Sequence, residues 1–530
     1  MSLTWFWSGR RRVAAVLFSV FLLTGCAAPL TKGPFTYYVS ADGDDAATGL
    51  RPQSAWRTLG RVSEQVLKPG DTIHLIGERA LSGTLTLSAE DAGEPARPVT
   101  ITADAAFPGI EATGTAGIEL VDVSGVLVEG LDVHVRDPEN TDGVLLYATK
   151  GSGRHEGITI RSSRVTGARN GIAVDGPTAN DGFASVSIDR VRVTDSLRNG
   201  IITYGPEAPA YAHRNITISG SMVADTRGIA GLEKNSGSGI VIGSVDGAVV
   251  EHSESTRNGR DADAIEGPIG IWAHDANDVI FRDNLSYNNL SRRADGGGFG
   301  FDVATTNSLM ERNYAHSNIG PGFLVLTHVG GGRTGGNTIR YNASVGDSRL
   351  NNFHGGISII GGFDRDRDDI LLEDILVHHN TVLAFGTSGA AALQMMGNLQ
   401  NVQIHHNIFD VSGHLASPVS SRAINPDSTV TIFANQLGID GTQEQPIIVW
   451  DDWPLGGIDT LHRVIPVSYW NFATPTNFAD RTELPGGLVP EPLTSVDADG
   501  PHEDSPAEVD LMGNPVSYPD HFVGAVSRAE

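Results

Sequence analysis

Short apolar segments return at intervals of about 30 residues through the middle of the chain, and no other feature constrains its folding as much. They are Val126–Val128, Ile158–Ile160, Val186–Ile188, Ile216–Ile218, Ala248–Val250, Val279–Phe281, Ser308–Met310, Asn337–Ile339, Ile375–Val377 and Val402–Ile404. The alternation within each segment is that of a strand, not a helix. A repeat of this period cannot bury its apolar face alone, so neighbouring copies must stack into a solenoid with one continuous core.

The same frame carries polar information. Five residues after each of the last five starts stands an asparagine: Asn284, Asn313, Asn342, Asn380 and Asn407. An amide at a tight corner can bond the backbone and the equivalent amide one coil above, which satisfies turn groups that stacking would otherwise bury unpaired. Position four reads Glu251, Arg282, Glu311, Arg340, His378 and His405. With coils about 4.8 Å apart, opposite charges would alternate up an exposed face, and His378, His379, His405 and His406 are expected in that solvated ladder rather than at a metal.

A second strand follows a glycine in each coil, at Gly171, Gly200, Gly239, Gly270, Gly298, Gly322 and Gly356. With period two, Ile172 and Val174, Ile240 and Ile242, Phe299 and Phe301, and Phe323 and Val325 point inward. The other parity then forms two outward columns. One holds Asp175, Tyr204, Gly243, His274, Asp302, Leu326 and Ile360; the parallel one sets Trp272 between Val241 and Gly300. The frame predicts an all-β chain, a right-handed parallel β-helix over residues 99–412, with an N-terminal cap and first coils over 37–98. The frame is lost near Gly413, and residues 413–530 are expected to form an irregular C-terminal cap or packed extension.

The first residues read as an address. Arg10, Arg11 and Arg12 precede the apolar run Val13–Leu23, which at about a dozen residues is too short for the roughly 20 of a membrane span. Leu23–Cys26 resembles the lipobox of bacterial lipoproteins, which implies a signal peptide over 1–25, lipid on Cys26, a tether over 26–36 and a place on a membrane of the cell envelope, outside the cytoplasm. Cys26 is the only cysteine in 530 residues, so no intramolecular disulfide can staple the fold. The formal net charge of −26 repels nucleic acid, which is not expected as a partner; a monomer is expected.

Tyr37–Asp44, Trp56–Leu59 with Val62 and Val66 at helical spacing, Lys68–Leu75 and Pro98–Ile101 together resemble the opening of bacterial β-helix proteins of the pectate-lyase superfamily, and Asp510–Pro515 resembles their closing segment. The resemblance covers about residues 37–410 and is specific for fold, not for reaction. It implies an amphipathic helix over the first coil and relatives that are glycoside hydrolases or polysaccharide lyases. Glu266–Asp275 and Ala294–Asp302 look like segments of secreted β-helix proteins in which the second often reads Gly-Phe-Asp-Phe-Asp; here Gly300 replaces the first of those aspartates.

Glycosidic hydrolysis needs a proton donor and a second carboxylate. Asp302 and Asp295 are the candidates for acid and for base or nucleophile, with Asp275 and Glu266 as further carboxylates and His274 to orient them. Trp272 and Tyr204 could hold a sugar ring, or could equally lie under long loops as satellite core. A lyase acting on an acidic polysaccharide would need a cationic base, for which Lys234 and the loop residues His328, Arg333 and His354 come into question. A third reading is a non-catalytic glycan-binding or scaffold protein, which Gly300 favours. No cofactor is required; calcium is a candidate for the acidic runs Asp364–Asp369 and Asp42, Asp44, Asp45, although neither counts as an EF-hand. There is no zinc spacing, phosphate loop, serine nucleophile elbow or basic groove.

Overall fold

The computed structural model describes residues 33–349, 353–367, 369, 371–385, 391–413, 416–439, 448–455, 461, 468–469, 471–473, 509–516 and 524–526. The expected signal segment 1–25 and Cys26 lie outside the described residues.

The apolar segments are strands, and they stack in the frame read from the sequence. Ile158 lies beside Val126 on one side and Val186 on the other, and the series continues through Ile216, Ala248 and Val279. Further on, Asn337, Ile375, Val402 and Val430 follow one another in the same column. The coils make one 28-stranded and one 14-stranded sheet. Among the described residues every pairing of full strands is parallel except Ile448–Trp450 with Trp453–Leu455. The tube is filled as alternation requires: Ile172, Val174, Ile240, Ile242, Phe299, Phe301, Phe323 and Val325 all belong to one buried cluster. Phe299 stacks on Phe323 with ring centres 5.2 Å apart, one coil above the other.

The exposed end of such a stack has to be covered. Here the helix Leu59–Ser63 does so, started by Thr58, whose hydroxyl accepts the Arg61 N–H, and burying Leu59 and Val62. Val66 lies past its end and is exposed, so the helical spacing overreached by one turn.

The corner asparagines form a vertical row. Each Nδ2 donates to the next Oδ1, Asn284 to Asn313 at 3.0 Å, then on through Asn342, Asn380 and Asn407 at 3.0 to 3.1 Å. The same oxygens accept the backbone N–H of the asparagine before, and each Nδ2 also reaches a strand carbonyl, as Asn313 does to Phe281 at 2.7 Å. In earlier coils serine holds the position: the Ser163, Ser221 and Ser253 hydroxyls accept N–H groups of the preceding coil. A second ladder, ten residues into the frame, joins Asn258, Asn289 and Asn318 and ends on Asp347. Its 29- to 31-residue spacing stands in the sequence and was missed there.

Two expectations are corrected. The frame does not stop near Gly413: Ser417–Ile424 pairs with Ala391–Gly397, and Asn435 and Asn471 add two rungs to the first ladder. The signal was present, since Val430–Ile432 is followed by Asn435 in the usual place. The histidines are not solvated either. Glu251 pairs with Arg282 on a part-exposed face and Glu311 with Arg340 in a nearly buried one, and His378, His379, His405 and His406 are all buried. The closing segment lies against these coils: the Gly524 N–H donates to the His406 carbonyl at 2.9 Å, and Leu511 packs with Ala343 and Leu383. His378 stacks on His405, and His405 on Phe433. The paired Nδ1 atoms of His378 and His379 lie 2.8 Å apart and those of His405 and His406 2.9 Å, so in each pair one Nδ1 donates and the other accepts.

Two outcomes follow from this interior. Replacing Asn313 by Ala strands the Asn284 amide and the Phe281 carbonyl, and chemical denaturation is expected to show a loss of roughly 3 kcal/mol. Burial holds His378 and His379 well below the usual histidine range and His405 at about 2. Their folded pKa values lie below the unfolded one, so the stability they carry is complete above about pH 6.5 and is lost on acidification, by up to about 1.4 kcal/mol per pH unit for each ring. Asp347, pushed up to about 7 by burial, acts in the opposite sense between about pH 4 and 7. Thermal unfolding from pH 7.5 to 5 should therefore show an acid limb that flattens in His405→Phe/His406→Phe; an unchanged limb would exonerate the stack.

Candidate functional site

The outward parity of the second strand builds one wall. Val241, Trp272, Gly300, Leu324 and Ser358 are direct neighbours on successive coils. Trp272 is only 7% exposed and packs with Val241, Ile269, Leu324, Leu326, Ile360 and Met396 in an apolar cluster outside the tube. Its indole N–H donates to the Ser238 hydroxyl at 3.1 Å. Of its two readings, satellite core describes most of the ring, although the residue still lines the cleft. Gly300 explains the close packing beside it: a Cβ there would meet Ile269 Cδ1 at 2.9 Å and Trp272 Cβ at 3.4 Å. The space beside Gly300 is thus taken up by apolar side chains.

Beside this floor opens a cleft of about 1170 Å³, lined by Glu266, Trp272, His274, Asp275, Asp295, Asp302, His328 and His354 among others. His274 and Asp302 come from adjacent coils, because Ala273 pairs with Phe301. His274 Nδ1 lies 2.9 Å from Asp275 Oδ2, and Asp275 Oδ1 accepts the Ala208 N–H at 2.9 Å, tying the ring to the loop above it. Gly243 leaves the imidazole its room, since a Cβ there would come within 2.7 Å of His274 Nε2. Asp295 sits at a tight turn with φ of 53°. Its Oδ2 accepts the Gly267 N–H at 3.1 Å, and its Oδ1 lies 3.4 Å from Nε2 of His354. His354 is 5% exposed, and its Nδ1 is buried with no hydrogen-bond partner among the described residues.

Asp302 is the carboxyl whose chemistry is altered. Most of its surroundings are protein, and that burial pushes it up to about 6. The Val303 N–H, donating to its Oδ1 at 2.8 Å, pulls the other way; the charge of Asp295 raises it further, and His274 and His328 lower it. Two carboxyls flanking the strand Gly297–Phe301 thus feel each other across one cleft, one of them raised toward neutrality.

Other candidates fall elsewhere. Tyr204 is not among the cleft residues; it sits with Asp175, and burial together with the Asp175 and Asp142 charges pushes its hydroxyl up to about 12. Asp142 is itself fully buried against Arg169, at 2.7 and 2.9 Å. Arg333 turns away to Glu373 at 2.5 Å and Asp374 at 3.5 Å. Lys234 reaches the cleft but is paired with Glu266 at 3.2 Å, on the exposed lip. Three of the four cationic candidates for an elimination base, Lys234, Arg333 and His354, thus lie against carboxylates. The acidic runs are engaged within the chain: Asp45 accepts the Arg57 and Thr58 N–H groups, Asp42 pairs with Arg79, and Asp369 with Arg367. Among the described residues no group of three or more His, Cys, Asp or Glu is gathered as a metal site would need. The sequence reading missed Arg198, Glu207, Asn235, Phe353 and Phe363, which enter the cleft from loops.

A family model described as a right handed beta helix region matches residues 142–364. The chain is a right-handed parallel β-helix protein, and its cleft lies on the outside of the coils. A GH136 lacto-N-biosidase from Eubacterium ramulus is similar in fold, at 18% identity over 70% of this chain and 68% of that one, with a TM-score of 0.51. A rhamnogalacturonan lyase is 14% identical over 68% of this chain and 84% of that one, with a TM-score of 0.42. A mannuronan C-5 epimerase A-module from Azotobacter vinelandii is 15% identical over 79% and 95%, with a TM-score of 0.45. Comparison with curated proteins gives no match.

The indole under the cleft carries a stability role that can be measured. Trp272→Ala should cost about 3 to 5 kcal/mol in chemical denaturation, because it opens a cavity between Val241 and Leu324, while Ser238 keeps its bonds to Asn235 and the Ile269 N–H. A merely substrate-facing ring would leave the unfolding curve in place.

Proposed function

We propose that the protein is an extracytoplasmic carbohydrate-active enzyme, a glycoside hydrolase that works in the cleft on the outer wall of its β-helix. The observation that carries this reading is the Asp302–Asp295 pair: one carboxyl pushed up to about 6 by burial, the other pinned by the Gly267 N–H. Asp302 gives its proton to the glycosidic oxygen as the bond from that oxygen to the anomeric carbon breaks. Asp295 either attacks the anomeric carbon, forming a glycosyl ester that water then hydrolyses with Asp302 as base, or takes a proton from a water that attacks directly; in both cases the products are a reducing sugar and the protonated leaving group. His274, fixed by Asp275, lowers the cost of the Asp302 carboxylate left after transfer, and His354 holds Asp295 in place. The leader and the Cys26 motif support lipid anchorage at the cell envelope as part of the same reading.

Two measurements test it on a polysaccharide panel scored for reducing ends and for the ultraviolet absorbance of an unsaturated product. Asp302→Asn should lower kcat/KM by about 10² to 10⁴, with no ultraviolet product at any stage. Because the acid must be protonated to act, kcat/KM should fall tenfold per pH unit above about 6. Full turnover by Asp302→Asn rejects the assignment, and an absorbing product would move the protein to the lyases.

A further inference from the structure

Of the buried polar atoms that have no hydrogen-bond partner among the described residues, two belong to side chains lining the cleft: Nδ1 of His354, beside Asp295, and Oδ1 of Asn199. Asn199 is 3% exposed and ends a short ladder of its own. Asn170 Nδ2 donates to Asp142 Oδ1 at 3.0 Å, and Asn199 Nδ2 donates to Asn170 Oδ1 at 3.2 Å. The next coil sets Ser238 in this column, but its hydroxyl donates to Asn235 Oδ1 at 3.0 Å instead. The last rung therefore keeps an acceptor that the described chain does not use, and such an acceptor costs free energy unless something fills it.

A bonded row leads from this rung to the reacting carboxylate. Asn199, Asn235, Gly267 and Asp295 line the cleft on four successive coils, each at or just before the second strand of its coil. Asn235 Nδ2 donates to the Gly267 carbonyl, and the Gly267 N–H donates to Asp295 Oδ2 at 3.1 Å. Lys234 and Glu266 cancel each other's charge beside the row, at 3.2 Å. Three coil steps separate Asn199 from Asp295, about 14 Å. At the far end Arg198 also lines the cleft, exposed and without an ion-pair partner among the described residues.

Resting on the hydrolase reading above, we infer a remote subsite at Arg198 and Asn199 that takes an uncharged sugar of a glycan laid lengthwise over the coils, with its scissile bond at Asp295. The guanidinium donates and the amide oxygen accepts, which matches a pair of sugar hydroxyls; a uronate would set its carboxylate against the Asn199 oxygen. A pyranose chain advances by about one coil spacing per residue, so the subsite lies about three sugars from the cleaved bond. The substrate is thus a chain and not a disaccharide, held in part by contacts far from the reacting atoms.

The test titrates the full chain carrying Asp302→Asn, so that turnover does not interfere, with trisaccharides and hexasaccharides of the β-linked gluco-, xylo- and manno- series. In at least one series the hexasaccharide should bind about tenfold or more tightly than the trisaccharide. Adding Arg198→Ala, at an exposed site that does not threaten folding, should bring the two within about twofold. Asn199→Leu should do the same, in protein whose unfolding curve is followed alongside. A length gain absent from every series, or one that survives both replacements, overturns the inference, as does a hexagalacturonide that binds as tightly as the best neutral chain. Failure of the hydrolase reading shows up separately: a length gain lost in Arg198→Ala, without cleavage of any glycan by the unaltered chain, leaves the subsite standing, and cleavage without the gain leaves the hydrolase.

Discussion

At the corner before each ladder asparagine, the backbone is forced into a conformation that ordinary residues resist, and the ladder is what makes that tolerable. Asp283, Arg312, Tyr341, His379, His406 and Ala434 all have φ between 51° and 57°, and none is glycine. Such residues cost of order 1 kcal/mol or more each and persist only where the surroundings over-determine them. Here the next residue does so, its amide oxygen accepting both the N–H and the Nδ2 of the asparagine one coil before. Without that bond the corner would combine a strained residue with buried, unpaired backbone, and the stack would lose its reason to turn at the same place in every coil.

A corner that repeats fixes register, and register turns a linear sequence into a wall. Trp272, Gly300 and Leu324 become neighbours only because each coil advances by one strand spacing without slipping. The same holds for His274 and Asp302, which are 28 residues apart in number and one coil apart in space. A slip of one residue would send both into the tube and bring Ala273 and Phe301 to the surface. The cleft therefore depends on the ladder on the other side of the coil, although the two share no residue.

The histidines show how one position in a frame can change character along a stack. Lower down, position four carries ion pairs, Arg282 on Glu251 part-exposed and Arg340 on Glu311 nearly buried but neutralised by each other. Where the closing segment lies against the coils, the same position holds stacked neutral rings, because a charge could not be kept there out of water. The Asp142–Arg169 pair meets the same constraint by direct neutralisation.

Periodicity by itself determined the strands, their column order, the inward phenylalanines and the first asparagine ladder, since each of these depends only on spacing along the chain. It also put His274 and Asp302 on one outward face, and it contained the second ladder and the Asn435 rung, which were there to be read. Loops answer to no period, and so the tertiary structure decided the rest. It sent Arg333 to Glu373 and Tyr204 to Asp175, brought His354 to Asp295, laid the C-terminal segment over the histidines and set Phe353 and Phe363 at the cleft. These are contacts between segments with no common register, and only the packed chain can say which charges meet and which side chains lose their water.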